Sequence, residues 1–373
     1  MWRQFRAVAL SGTVVLALFG TGGSLRAQEE GETIQPRPDI PTTRVGTRGA
    51  SFLEIPVGAR ASALAGAGTV VSEGVHALYW NVAGTAELES FAFGVSYADL
   101  YGASGIKQTF IAATLPLLGG NVGVSLNQLT SGDIPRTREE IPSGEDPTIG
   151  NVFDWTSSAA GLHYARMITD RLAVGATGKF IQEGIDDAKA SWFAADVGLK
   201  FRTGLMATTV AAAVVNLGGR ARMEGALAEE HVAASVEYFE TDREIAIKKQ
   251  TTDVSLPTLF RFGIQTDVTG TPEALLSGDP KHRVLALVDI LDATDTDIEM
   301  TVAMEYSFNE LFFARAGKRW FNEEFADRDF ADGLSWGLGV RIPAFGRGLA
   351  FDYAYTDQGN LDNTQVFSFE FGF

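Results

Sequence analysis

The chain closes on an alternation that few folds tolerate. Phe367, Phe369, Phe371 and Phe373 point to one side of an extended strand, and Ser368, Glu370 and Gly372 point to the other. The same rhythm of two runs back to Phe91. Leu349, Phe351, Tyr353 and Tyr355 oppose Ala350, Asp352, Ala354 and Thr356, and Phe193, Ala195, Val197, Leu199 and Phe201 oppose Ala194, Asp196, Gly198, Lys200 and Arg202. One face is aromatic and aliphatic throughout, while charge keeps to the other. A dry sandwich core would bury that charge at high cost, whereas a membrane barrel turns the apolar face to lipid and the polar face to a wet lumen.

Fourteen strands are predicted, beginning near Phe91, Lys107, Gly120, Thr156, Arg171, Ala190, Leu205, Thr258, Lys281, Ile298, Leu311, Gly333, Arg347 and Thr364. An even count of roughly ten-residue strands is what a single-chain bacterial barrel requires. The expected fold is therefore all-β: a fourteen-stranded antiparallel transmembrane barrel over residues 91–373, with both barrel ends in the periplasm and a small N-terminal hatch. Connection lengths give an independent check. Short turns at Leu118-Gly119-Gly120, Thr169-Asp170, Thr203-Gly204, Asn309-Glu310 and Phe345-Gly346 alternate with longer connections, the longest at Thr130–Trp155 and Leu217–Pro257, with others at Trp320–Asp332 and Asp357–Asn363. Short turns belong to the periplasmic end and long loops to the outside. The stretch from Thr269 to Pro280 is longer than its periplasmic place predicts.

Residues 1–27 read as a signal peptide, with Arg3 and Arg6, an apolar stretch from Ala7 to Phe19, and a cleavage site after Ala27. Residues 28–49 are rich in Pro and charge and read as a flexible N-terminus. Beyond the signal no run reaches the ~18–20 apolar residues of a membrane helix, so only a closed barrel would cross a bilayer. The chain has no cysteine, which removes disulfides and thiolate metal sites. A net charge of −17 argues against nucleic acid as a partner.

Residues 50–90 abandon the two-residue rhythm and are rich in glycine and alanine, a composition suited to filling a barrel lumen. Gly66-Ala67-Gly68 begins a dinucleotide-loop pattern, but Val71 occupies the place of the third glycine and no βαβ unit follows. Three blocks carry a resemblance instead: Ile55-Pro56-Val57-Gly58-Ala59-Arg60, Leu64-Ala65-Gly66-Ala67, and Ala77-Leu78-Tyr79-Trp80-Asn81-Val82-Ala83-Gly84. Together they resemble the opening signature of the PorV/PorQ family, within the FadL-like superfamily of fourteen-stranded outer-membrane barrels. Gly58, Ala59, Arg60, Gly66, Asn81, Ala83 and Gly84 form the matching hatch motif, with Val82 where the family pattern has proline. The resemblance implies an accessory to protein secretion or surface attachment of the type IX kind, with secretion components or exported cargo as partners. The alternative it implies is a FadL-like transporter of hydrophobic small molecules.

The charges on the expected lumen face, Lys179, Asp196, Lys200, Arg202, Arg261, Glu299, Glu305, Arg315, Arg341, Asp352 and Glu370, have mixed signs. They suit cross-strand pairing and a hold on the plug better than a single-sign ion filter. The terminal Phe369, Phe371 and Phe373 resemble the signal read by the outer-membrane barrel assembly machinery, and the apolar face takes membrane lipid as its partner. His76, His163, His231 and His282 are scattered without metal-ligand spacing, so no metal, cofactor or catalytic centre is expected. His163 faces the lumen, where a Ser–His hydrolase needs a serine that the sequence does not assign. Asp292, Asp295, Asp297 and Glu299 read as a solvated external loop and lack the spacing of a calcium site.

Overall fold

A computed structural model describes residues 46–137, 142, 152–225, 229–234, 243–248, 251–320, 333–344 and 347–372, with the side chains of 229–234, 243–248 and 344 not included. The signal peptide, residues 28–45, the Phe345-Gly346 turn, Phe373 and the interiors of the three longest loops lie outside the described residues.

Alternating side chains become strands, and each strand pairs antiparallel with its sequence neighbour. We number the barrel strands β1 (Ala92–Leu100), β2 (Ile106–Leu117), β3 (Gly120–Thr130), β4 (Trp155–Met167), β5 (Leu172–Ile185), β6 (Ala188–Arg202) and β7 (Thr209–Gly218). The second half comprises β8 (Leu259–Thr269), β9 (His282–Ala293), β10 (Glu299–Phe308), β11 (Phe312–Trp320), β12 (Leu334–Ala344), β13 (Arg347–Asp357) and β14 (Asn363–Phe371). The first strand pairs with the last, from Phe93 opposite Phe371 to Asp99 opposite Gln365, and this closes the fourteen strands into a barrel. Closure leaves no open edge, so the wall's backbone groups find partners between strands, as a lipid-facing sheet requires. Leu126, Leu162, Phe193, Val197, Leu338, Phe351 and Phe367 are exposed on the outer surface. A closed barrel of this strand number with an apolar exterior is a bacterial outer-membrane protein.

Turn chemistry sets the register at the short-turn end, which the asymmetry of turns and loops in such barrels assigns to the periplasm. Leu118 (φ 58°) and Gly119 (φ 72°) are both left-handed, the backbone of a two-residue hairpin turn whose twist matches the flanking strands. The long connection after β8 also has a local cause. A register shift between Asp267 and Thr269 turns the strand, and the chain then folds back on it, with Leu275 and Leu276 donating to the carbonyls of Asp267 and Val268. Arg283 Nε pins the same Asp267 carboxylate at 2.8 Å.

Two expectations need correction. The external connection between β5 and β6 is a two-residue turn, Asp186–Asp187, between strands of 14 and 15 residues, so the length lies in the hairpin and not in a loop. Asp295, expected in a solvated loop, is 5% exposed because the residues before β1 pack against it. The external connections also carry short ribbons, Ile134–Pro135 with Val152–Phe153 and Arg220–Ala221 with Val254–Ser255.

Candidate functional site

Residues 50–90 lie inside the barrel, and the glycines of the wall show why they fit. A Cβ on Gly175 of β5 would stand 2.7 Å from Val82, one on Gly317 of β11 2.6 Å from the Leu64 backbone, and one on Gly123 of β3 3.0 Å from Leu78. Gly94, Gly263 and Gly337, on β1, β8 and β12, approach Val75, Val70 and Ala63 in the same way. Contact with strands all around the ring places the segment in the lumen. These glycines sit at lumen-facing positions of the alternation, and their recurrence there is the sequence signal for a close-packed interior.

The motif residues hold the segment's own shape. Gly58 (φ 87°) and Gly66 (φ 86°) occupy left-handed conformations that a side chain would strain. Asn81 caps the short 3-10 helix Val82–Thr85, its side chain accepting from Ala83 N at 3.1 Å. The same amide donates to Leu199 O of β6 at 2.9 Å, tying the cap to the wall. Val82 is the first helical residue, a position that tolerates proline because its N–H is unpaired in any helix. Ala83 is fully buried, and a Cβ on Gly84 would meet Ser72 O at 2.5 Å.

The periplasmic half of the lumen is ionic. Arg60 donates to both oxygens of Glu305, Nε at 2.9 Å and Nη2 at 2.8 Å, and Arg315 Nε reaches the same carboxylate at 2.6 Å. Arg315 Nη1 continues to Asp352 at 2.5 Å, so four charges run from the segment across β10 and β11 to β13. Lys200 pairs with Glu73 at 3.6 Å, His76 Nδ1 lies 3.1 Å from Glu370, and Arg202 pairs with Glu87. Arg341 stacks over Phe313 at 4.7 Å, and nearer the external end of β8 Arg261 donates to the carbonyls of Tyr79 and Trp80. Lys179 and Asp196 pair within the wall at 2.6 Å, opposite a bulge in β7 where Asn216 N donates to Asp196. Thus Arg261 and four wall ion pairs or chains reach the segment, and Lys179–Asp196 does not. A cavity of about 260 Å³ bordered by Arg60, Glu73, His76, Arg341, Asp352 and Glu370 opens among them.

The external half also carries ionisable groups, in Arg261, in the Arg319–Glu299 pair at 3.5 Å and in Glu54, but its cavity has an apolar wall. A cavity of about 350 Å³ is lined by Phe52, Ile55 and Pro56 of the segment and by Leu100, Ile106, Leu129, Trp155 and Val366 of the wall. Ser51, Glu54, Ser62, Tyr101, Arg319, Thr356, Gln358 and Thr364 add polar groups to the lining. The Tyr79 hydroxyl lies 2.7 Å from both Leu53 O and Ile55 O, with one hydrogen to donate between them, and ties this stretch of the segment together. Burial, and then the carboxylates of Asp295 and Glu299, push Glu54 up to about 8, so this carboxyl is protonated at neutral pH.

Elsewhere in the lumen His163 finds the serine that the sequence did not assign. Ser125 Oγ of β3 lies 2.7 Å from His163 Nε2. The third partner is Thr177 Oγ1, 2.8 Å from Nδ1, and a hydroxyl cannot stabilise an imidazolium as a carboxylate does. The trio is a polar link between β3, β4 and β5.

Fold and lumen together define an outer-membrane β-barrel carrying its own inner segment. No protein-family model matches the chain, and no curated protein matches it. Among solved structures it is similar to the toluene transporter TbuX of Ralstonia pickettii, at 12% identity and TM-score 0.49 over 85% of this chain and 97% of that one. It is also similar to the toluene transporter TodX of Pseudomonas putida, at 10% identity and TM-score 0.48 over 85% and 96%. A FadL homologue of Pseudomonas aeruginosa gives 13% identity and TM-score 0.47 over 85% and 98%.

Proposed function

We propose that the protein carries a small hydrophobic molecule across the outer membrane, that the external cavity binds it first, and that residues 50–90 act as the plug. The observation that carries this reading is the contrast between the two cavities. The external one presents Phe52, Ile55, Leu100, Leu129 and Trp155 together with hydroxyls, Glu54 and Arg319, an apolar wall with polar groups that suits a small-molecule site. The internal one is bordered by ion pairs that bind the plug to the wall and do not favour an apolar guest. Non-covalent contacts hold the plug, so its displacement needs no chemistry.

The role in secretion or surface attachment that the motif resemblance implies is the second reading, and the external ribbons give it surface. The cavity offers it nothing, which is why we rank it below transport. In either role the aromatic end of β14, with Phe369 and Phe371, is our candidate contact for the barrel assembly machinery.

The test is equilibrium binding of radiolabelled toluene, naphthalene and decanoate to the purified barrel, with mass spectrometry of whatever copurifies. Saturable binding of one of them at one site per chain is expected. Saturation by none, together with recovery of a stoichiometric protein partner, would replace this reading with the second one.

A further inference from the structure

The plug begins and ends at opposite mouths of the barrel. Its last residues meet the periplasmic rim, where Glu87 pairs with Arg202 at the end of β6 and Ser90 Oγ donates to Gly372 O beside the end of β14. Its first residues meet the other rim. Gly49 N donates to Ser255 O at 3.0 Å, and Arg48 Nη1 bonds the Ser255 hydroxyl. Ala50 N donates to Glu183 Oε2 at 2.6 Å. Ser255 belongs to the long connection between β7 and β8, and Glu183 stands near the Asp186–Asp187 turn, so both mark the external end.

Packing fixes the direction of approach. A Cβ on Gly49 would stand 2.7 Å from the Trp192 ring, so the backbone lies flat against β6. Trp192 Nε1 donates to Val254 O at 3.1 Å, which sets the Val254–Ser255 strand over the same spot. Gly46 and Thr47 are exposed, Arg48 and Gly49 are half-buried, and Ala50 is 1% exposed, the profile of a chain descending from solvent into the barrel. Below Ala50 the lumen is occupied by the plug against glycines of six strands.

We propose that the plug is threaded from outside: the chain enters the barrel at the external rim through Gly46–Ala50 and leaves it into β1 at the periplasmic rim. Gly46 and Thr47 then stand at the cell surface, where an external partner has access to a strand running directly into the plug. The proposal is independent of what the barrel transports.

The absence of cysteine from the full chain makes the test clean. Three single variants, Thr47→Cys, Asn360→Cys on an external turn and Ser277→Cys in the periplasmic connection, are treated in intact cells with a maleimide on a bulky polyethylene glycol. Thr47→Cys is expected to label to the same extent as Asn360→Cys, while Ser277→Cys labels only after permeabilisation. Folding of each variant is checked by its heat-modifiable gel band. Absence of Thr47→Cys labelling in intact cells, with Asn360→Cys labelled, overturns the proposal.

Discussion

The two halves of the lumen hold the same plug by different physics. On the periplasmic side Glu305 sits between Arg60 and Arg315, with both partners of each pair largely removed from water. Such pairs add little net stability against an apolar alternative, because desolvation offsets most of the attraction, but they are sensitive to position and so fix register. On the external side Phe52, Leu100, Leu129 and Trp155 make a non-directional apolar contact around a cavity. One half specifies where the plug sits, and the other leaves room for a guest.

Breaking the ionic half should have the largest effect. Glu305→Ala leaves two guanidinium groups buried without their shared carboxylate, and removal of one partner from a buried pair costs about 3–5 kcal/mol. The folded band on a gel should be lost at markedly lower temperature, and conductance in planar bilayers should rise as the plug loosens. Unchanged conductance would mean that the ionic half does not hold it.

The apolar half should respond differently. Leu129 is 2% exposed and lines the external cavity, so Leu129→Ala should cost about 2–4 kcal/mol of stability and weaken binding of the hydrophobic probe, while conductance stays at the wild-type level. A conductance rise as large as that of Glu305→Ala would erase the distinction between the halves.

The smallest effect is a pH dependence. Glu54 titrates near 8 in the folded chain against an ordinary carboxylate value of 4.5, so the folded state holds a proton that the released chain gives up. The contribution is fully present below about 4.5 and is lost as pH rises through about 8. Thermal scans in detergent between these limits should show wild-type stability falling with pH more steeply than that of Glu54→Gln. Parallel profiles would show that Glu54 does not titrate in this window.

How much of this was legible in the sequence follows from the range of each interaction. Strand positions are local, and most predicted starts fall within two residues of the observed ones, while β7 begins at Thr209 and not near Leu205 because Met206 and Ala207 both take left-handed backbone in the turn. Alternation also sets the charges on the face opposite the aromatic one, but their partners depend on which strands curl round to face the plug. Arg60 and Glu305 are 245 residues apart, and Ser125 and His163 meet only because β3 pairs with β4. The burial of Asp295 was illegible for the same reason, since the segment that covers it is distant in sequence. The rim at which the plug begins is set by Gly49 and Ser255, a contact that no local pattern records.

The most direct test of the account is to fasten the plug to the wall. A Cβ built on Gly263 of β8 lies 3.1 Å from Val70 Cβ of the plug, so a shift of a few tenths of an ångström brings the pair into the range of about 3.5–4.5 Å that a disulfide needs, and the natural chain has no cysteine to compete. The double variant Val70→Cys/Gly263→Cys should, when oxidised, bind the hydrophobic probe in the external cavity but fail to admit it to cells, with uptake restored by a reductant. Uptake that proceeds equally in the oxidised and reduced states would show that the molecule passes without movement of the plug, and would contradict the account.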